Sequence, residues 1–206
     1  DNSVPDALHY YEDSLHLYLN GGAHTFSFKA DARHPDSEYL IVGNKLAFCW
    51  RGKDYYLNIM NCIRDEDTVE VQAYSLSFEL LNEYVGAYSA SSAMTFEEYL
   101  EIFDPEGTIT LGNNEIQGKS ITNEWTGTDT ILNRLLSLAS VFDAEIEFVP
   151  VLNNNYTLEK LVMHVYEKHS EESQGVGANR EDIVLRYGVE VEGIIKTSDA
   201  TELFTA

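Results

Sequence analysis

Basic residues are scarce in this sequence. Its 206 residues include 13 Lys and Arg against 35 Asp and Glu, which gives a formal charge of −22. Nucleic-acid binding draws its affinity from basic side chains that displace counterions, and an anionic bilayer attracts the same groups. The composition therefore predicts no specific nucleic-acid binding and no docking on a membrane. Acids spread along the whole chain are typical of a soluble surface.

Cysteine and long apolar runs are also rare. The two cysteines, Cys49 and Cys62, lie in apolar surroundings typical of strands, so we expect small, buried and reduced thiols. Two cysteines without a paired CxxC motif supply no tetrahedral metal cage. No run of about 18 apolar residues and no signal-peptide core occurs, so the sequence predicts neither a membrane span nor a secretion signal.

The apolar content is nevertheless that of a folded chain. AVILMFWYC residues make up 44% of the sequence, with 13 Tyr and 9 Phe, which suffices for one larger domain or two small ones. The sequence begins at Asp1 without Met, and residues 202–206 stop inside an apolar-periodic stretch. We therefore expect a piece of a larger protein.

Motifs for catalysis are missing. The hydrolase pattern G-x-S-x-G is absent, and no phosphate-loop pattern accompanies Gly175 and Gly177. A pair between Cys62 and a histidine stays open, because such groups meet only in space. The histidines concerned are His9, His16, His24, His34, His164 and His169.

Two segments come near metal motifs without matching them. His164 and His169 lie in a predicted strand, where their spacing places them on opposite faces. The segment from Asp104 has Ile109 where a calcium loop needs glycine, with Gly107 two residues early, so we expect only a turn after a helix. The sequence predicts no catalytic, cofactor-binding or metal-ligating residue and no cofactor, and hence no enzyme in this chain.

Antiparallel strands account for the first half. Residues 45–50 and 55–59 alternate apolar and polar around Gly52, the pattern of a hairpin. With the turn centred between Gly52 and Lys53, Phe48 would face Leu57. Further strands are predicted at residues 14–19, 25–30 and 68–74, the last in register only if the loop at residues 64–67 adds an odd residue. Together they predict a curled sheet or small barrel.

Helical spacing begins at Ser75 with Leu76, Leu80, Leu81 and Tyr84. Thr95-Phe-Glu-Glu98 predicts a capping box that opens a helix ending at residue 103. The main predicted helix covers residues 130–142. Strands follow at residues 144–152 and 158–166, joined by a turn in which Asn153 to Asn155 would take the left-handed conformation, and then at residues 183–187 and 189–197.

These patterns predict a β-rich α+β fold, with an antiparallel barrel-like domain and an α+β domain packed on one long amphipathic helix. Residues 1–85 would form the barrel-like portion, residues 86–94 a linker, and residues 95–206 the α+β portion with return strands toward the barrel. Seven tyrosines, which we expect to be exposed, suit a protein interface, although ordinary strand composition explains them equally well. They are Tyr10, Tyr11, Tyr18, Tyr39, Tyr55, Tyr56 and Tyr88.

The order of several segments carries a family resemblance. The segments are Thr25-Phe-Ser-Phe28, Val42-Gly-Asn-Lys-Leu46, Val69-Glu-Val-Gln-Ala-Tyr74, Leu76-Ser-Phe-Glu-Leu-Leu-Asn-Glu83, Thr128-Asp-Thr-Ile-Leu-Asn-Arg-Leu-Leu136, Phe142-Asp-Ala-Glu-Ile-Glu-Phe148 and Arg186-Tyr-Gly188 leading to Ile194-Ile-Lys-Thr197. Taken together, the chain resembles the N-terminal hub region of siphophage and prophage tail-associated lysins, the prophage endopeptidase tail family, which is related in fold to the hub of the T4 baseplate.

The resemblance implies a homotrimeric ring of the full-length protein below the tail tube, at the tip of the virion tail, after assembly in the host cytoplasm. Its implied partners are the distal tail, tail tube and tape-measure proteins, and its implied role is to anchor a C-terminal lytic or host-binding region. The competing hypothesis is a peptidoglycan hydrolase, an endopeptidase acting as the phage penetrates the cell. The missing catalytic motifs favour the structural role.

Overall fold

The computed structural model describes residues 8–18, 24–75, 77, 83–177 and 184. The described chain is mostly strand with two α-helices, which confirms the predicted β-rich α+β class. Its first portion contains β1 (Tyr10–Leu17), β2 (His24–Asp31), a 3₁₀ helix (Pro35–Tyr39), β3 (Lys45–Trp50), β4 (Lys53–Arg64) and β5 (Thr68–Ser75).

These five strands form one antiparallel sheet in the order β1-β2-β5-β4-β3. The sheet is strongly curled. Phe26 on β2 and Phe48 on β3 have ring centroids 5.0 Å apart, although β5 and β4 lie between their strands. In a flat sheet, three strand spacings of about 4.8 Å would separate them. The curl encloses the first core, which consists of Phe26, Phe28, Ala30, Leu40, Leu57, Ile59, Val69, Val71 and Ala73.

The β3–β4 hairpin turns one position earlier than predicted. Arg51 and Gly52 both have positive φ, 51° and 76°, as a type I′ turn requires. Such a turn matches the twist of the flanking strands. Phe48 therefore lies opposite Tyr55 and not opposite Leu57.

The extra residue between β4 and β5 lies within a strand and not in the connecting loop. Ile59 pairs with Ala73, and the register then shifts past Met60, so that Cys62 pairs with Val71. This bulge returns alternate residues of β4 to the inner face after Met60 has turned outward. The requirement for an odd residue was correct, but its predicted position at residues 64–67 was wrong.

The second portion contains the remaining elements. They are β6 (Tyr84–Val85), β7 (Tyr88–Ser89), β8 (Met94–Thr95), α1 (Phe96–Phe103), β9 (Ile109–Asn114), β10 (Ser120–Ile121), β11 (Glu124–Trp125), β12 (Asp129–Thr130), α2 (Ile131–Val141), β13 (Ala144–Leu152) and β14 (Leu158–Glu167). β13 and β14 pair antiparallel, and β9 adds parallel to β14, a pairing that the sequence patterns did not indicate. Three two-stranded ladders, β10 with β8, β11 with β7 and β12 with β6, complete it.

Both helices begin where the sequence predicted. The Thr95 side chain accepts from the Glu98 amide while the Glu98 carboxylate accepts from the Thr95 amide, a complete capping box. Thr130 caps α2 in the same position. α2 has only 11 residues, an average length, so the description as a long helix was wrong.

Both helices pack into the second core. Its fully buried members include Phe96, Tyr99, Phe103, Leu135, Leu138, Phe142 and Met163.

Several other details differ from the predictions. Tyr84 lies in β6 and not on a helix. In the β13–β14 turn it is Tyr156, with φ of 56°, that takes the left-handed conformation. Asn153 instead accepts hydrogen bonds from the amides of Asn155 and Thr157 through its side chain. Cys49 is exposed and Cys62 half-buried, both as free thiols.

Some predicted features lie outside the described residues: the helical segment at residues 76 and 78–82, the turn at residues 21–22, and all but residue 184 of the strands at residues 183–187 and 189–197. Residues 86–94, the predicted linker, include β7 and the buried Ala90.

Candidate functional site

A groove of about 220 Å³ lies between the first sheet and β13. On the side of the first sheet it is lined by the end of β1, the start of β2 and the start of β4, and across from them by the middle of β13. Most of the lining is apolar. The lining residues include Leu17, Tyr18, His24, Lys53, Tyr55, Glu147, Phe148 and Val176.

One ion pair joins the two walls of the groove. Lys53 Nζ lies 2.8 Å from Glu147 Oε1, and the Tyr166 hydroxyl donates to Glu147 Oε2 over 3.3 Å. The hydrogen bond to Glu147 raises the pKa of Lys53, so its ammonium stays protonated. Burial raises the pKa of both Tyr55 and Tyr166, so their phenols stay neutral. The arrangement holds the walls together and offers neither a free amine nor a phenolate as a nucleophile.

Three of the histidines named in the sequence have separate local partners, whereas the rings of His9 and His34 contact each other, with centroids 6.3 Å apart. His16 Nε2 lies 3.0 Å from Ser14 Oγ, and His164 Nδ1 accepts from the Asn113 amide over 2.8 Å. His169 lies beyond the end of β14, with Nδ1 3.3 Å from the Gln174 carbonyl.

The cysteine and aspartate candidates are engaged in the fold. The Cys62 thiol donates to the Leu40 carbonyl over 3.0 Å. Buried Asp104 accepts from the amides of Thr108 and Ile109 and from the Thr108 hydroxyl, so it holds the turn that follows α1. Within the described ranges, no group of three or more His, Cys, Asp or Glu side chains could hold a metal ion.

Sequence reasoning missed a buried cation. Arg134 is only 2% exposed and lies against the rings of Phe103 and Trp125, with its guanidinium carbon 5.3 Å and 5.5 Å from their centroids. Its Nη2 donates to the Gly127 carbonyl over 2.8 Å, while Nη1 has no hydrogen-bond partner among the residues that the structure describes. Desolvation lowers the pKa of Arg134. Its place three residues after Ile131, on the apolar stripe of α2, was the available signal.

Negative charge is concentrated in the second portion. Residues 83–177 contain 16 Asp and Glu against 4 Lys and Arg, whereas residues 8–18 and 24–75 contain 10 against 6. Because Arg134 is buried, only three of the four bases in the second portion reach solvent. The first sheet is therefore much closer to neutral than the chain as a whole.

The seven candidate tyrosines divide into two groups. Tyr10, Tyr11, Tyr18 and Tyr39 are exposed, and three of them lie on or just after the edge strand β1. Tyr55 is buried in the groove wall, and Tyr56 and Tyr88 pack against the second core. The expectation of exposure was wrong for these last three, because each occupies a position facing a neighbouring layer. None of the helices in the described part of the chain has the length and apolarity that crossing a membrane requires.

The fold has solved counterparts. The prophage tail protein gp18 from Listeria monocytogenes EGD-e matches with a TM-score of 0.51 and 13% identity, over 75% of this chain and 45% of that protein. This chain shares the fold of a prophage tail protein. It spans less than half of the length of the Listeria protein. No protein-family model matches the chain, and no curated protein matches it in sequence.

Two further structures are more distant. The 43 kDa tail protein of prophage MuSo2 from Shewanella oneidensis has a TM-score of 0.48 at 15% identity, over 71% of this chain and 47% of its own. The E. coli c3393 protein, a type VI secretion component with structural similarity to the T4 bacteriophage tail proteins gp27 and gp5, has a TM-score of 0.46 at 12% identity, over 77% and 49%. The fold comparison therefore rests on the Listeria protein.

Proposed function

We propose that this chain is a structural module of a phage or prophage tail, with a place in the hub at the tail tip. The observation that carries the proposal is the fold shared with the Listeria prophage tail protein over 75% of the chain. The contacts at the groove agree with it, because the polar groups there are paired with one another and serve packing.

In the full-length protein we expect a homotrimeric ring below the tail tube that contacts the distal tail, tail tube and tape-measure proteins. The ring would anchor a C-terminal region with lytic or host-binding activity, as in the N-terminal hub region of tail-associated lysins. The charge distribution suits such a location. A wall that is neutral or acidic does not retain the phosphates of a passing genome, because few basic groups are present to displace their counterions.

Immunogold electron microscopy tests the location. Antibodies raised against the purified chain are applied to phage particles from the strain that encodes it, with antibody pre-absorbed on the chain as the control. Label confined to the tail tip is expected. Label on capsids, or particles without label whose other tail proteins are detected, would contradict the proposal.

A turbidity assay on purified bacterial cell walls tests the alternative. The structural role predicts that this chain does not clear the cell walls. A muramidase at the same concentration serves as the positive control and should clear them. Clearing that is lost on a single acidic substitution would instead make the chain a peptidoglycan hydrolase.

A further inference from the structure

An apolar patch lies at the end of β4, next to the segment that follows the 3₁₀ helix. It consists of five large side chains that are each between 51% and 61% exposed: Tyr39, Ile41, Val42, Met60 and Ile63. Single apolar side chains are ordinary on a protein surface, whereas a contiguous group of them marks an interaction site.

Backbone contacts make the five side chains of the apolar patch neighbours. Two hydrogen bonds of 2.9 Å join residues 43 and 44 to Ile59 on β4. Further along β4, the Cys62 thiol donates to the Leu40 carbonyl. The segment after the 3₁₀ helix therefore runs beside the end of β4 in the opposite direction, and the patch residues of the two segments adjoin.

The bulge in β4 adds an isoleucine to the apolar patch. With a regular alternation, Ile63 would lie on the same inner face as Ile59. Because the register shifts at Met60, Cys62 packs against the first core instead, and Ile63 pairs with the exposed Glu70. Bulges re-aim side chains at functional positions in many sheets. An interaction surface accounts for an isoleucine that a change of register holds in solvent.

Acidic residues surround the apolar patch. Residues 31–42 and 60–70 contain 7 Asp and Glu against 2 Lys and Arg, and these are 7 of the 10 acids in the described first portion. Both bases are engaged within the fold, because Arg33 pairs with Asp67 and Arg64 donates to a backbone carbonyl of the 3₁₀ helix. A second copy of this chain would bring acids against acids, whereas a basic partner is attracted.

We propose that the apolar patch docks an amphipathic helix of another protein, with apolar side chains on one face and Lys or Arg along the borders of that face. The patch presents the side chains of a sheet face, and a sheet face packs against the apolar stripe of a helix. The apolar side chains of the partner cover Met60 and Ile63, and its basic side chains lie against Glu38 and Glu66. This inference concerns one surface of the first portion and does not depend on the proposed tail function.

An NMR titration of the isotope-labelled 206-residue chain tests the proposal. The probe is a synthetic helical peptide with leucine on one face and lysine on the other. Amide shifts should be largest at residues 39–42 and 60–63, and binding should weaken as salt rises. Ile63→Ser should weaken binding about tenfold, because an aliphatic side chain is lost from the contact.

The matched control is Ile102→Ser. Ile102 is an exposed isoleucine next to the exposed Glu101 on α1, in the more acidic second portion. A peptide that simply collects on acidic surface would respond to this substitution as it does to Ile63→Ser. Docking at the apolar patch predicts that Ile102→Ser leaves the affinity for the peptide unchanged.

Reversal of the rim charge tests the chemistry of the partner. The double variant Glu38→Lys, Glu66→Lys should bind the lysine peptide more weakly than the wild-type chain does, because two attractive charges become repulsive. The same variant should bind a peptide in which glutamate replaces every lysine better than the wild-type chain does.

Five results would overturn the inference. Shifts centred on the second portion, equal losses in Ile63→Ser and Ile102→Ser, or equal binding of the lysine and glutamate peptides would each do so. Shifts at the patch on dilution of the wild-type chain without peptide would make a second copy the occupant. Failure of a soluble paramagnetic probe to broaden the methyl signals of Ile41 and Ile63 would show that the chain covers the patch itself. If Ile63→Ser fails to fold, the location of the wild-type shifts decides the question alone.

Discussion

Replacement of Arg134 tests how much a buried cation contributes to this fold. In Arg134→Met the protein loses a charge-assisted hydrogen bond to the Gly127 carbonyl, worth about 1.5–3 kcal/mol, and the stacking on Phe103 and Trp125, worth about 2 kcal/mol. It also escapes the desolvation of an ion, which costs several kcal/mol, and the burial of the unpaired Nη1 group, which costs about 1–3 kcal/mol. Because the two sets nearly cancel, the free energy of unfolding should change by less than about 2 kcal/mol.

Arg134→Ala separates packing from charge. It removes the same ion but leaves a cavity in the second core, so it should be about 2–5 kcal/mol less stable than Arg134→Met. Urea unfolding followed by tryptophan fluorescence measures both, and Trp125 against the guanidinium serves as a local reporter. Lys160→Met, at an exposed position of β14, controls for loss of a surface charge. A loss of more than about 3 kcal/mol in Arg134→Met would refute the cancellation and show that the guanidinium itself stabilises the core.

Two further substitutions test other parts of the second portion. Leu135→Asp should abolish its cooperative unfolding, because a carboxylate at a fully buried position costs several kcal/mol to desolvate, whereas Ser140→Ala on the exposed face of α2 should change the melting temperature little. A wild-type melting temperature for Leu135→Asp would contradict the assignment of the buried stripe. Gly175→Ala should destabilise the loop after β14 by about 1 kcal/mol or more, because φ is +66° and a Cβ would overlap the Glu145 carboxylate. Gly118→Ala, with open space around it, is the control, and equal effects in thermal melts would argue against the clash.

Local signals in the sequence were reliable where one or two residues determine the structure. Thr95 and Glu98 form their capping box because both partners lie in one turn. The bulge at Met60 gave no signal in the sequence. Apolar residues occur in β4 both before and after Met60, and the shift in register is set by pairing with β5. The type I′ turn was predicted one position too late. Its first residue, Arg51, is not of a type that usually takes positive φ, so the sequence did not mark this position.

The candidate site was less predictable than the fold. The pairing of Lys53 with Glu147 joins residues 94 positions apart, so no local pattern contains it. Arg134 lies on the apolar stripe of α2 that the sequence pattern indicates. A single basic residue at such a position is nevertheless usually expected at the helix surface. What places it inside is the aromatic pair, Phe103 and Trp125, contributed by α1 and β11.

The distribution of charge predicts how this chain associates in solution. Three copies in a ring would triple a formal charge of −22, most of it in the second portion. Repulsion between exposed charges is screened beyond about 8 Å at physiological ionic strength, so self-association should be weak at low salt and should strengthen as salt rises. Sedimentation velocity from about 50 mM to about 500 mM NaCl measures this. A trimer whose dissociation constant does not depend on salt would refute the argument, because it would require an interface at which the acidic surfaces do not approach one another.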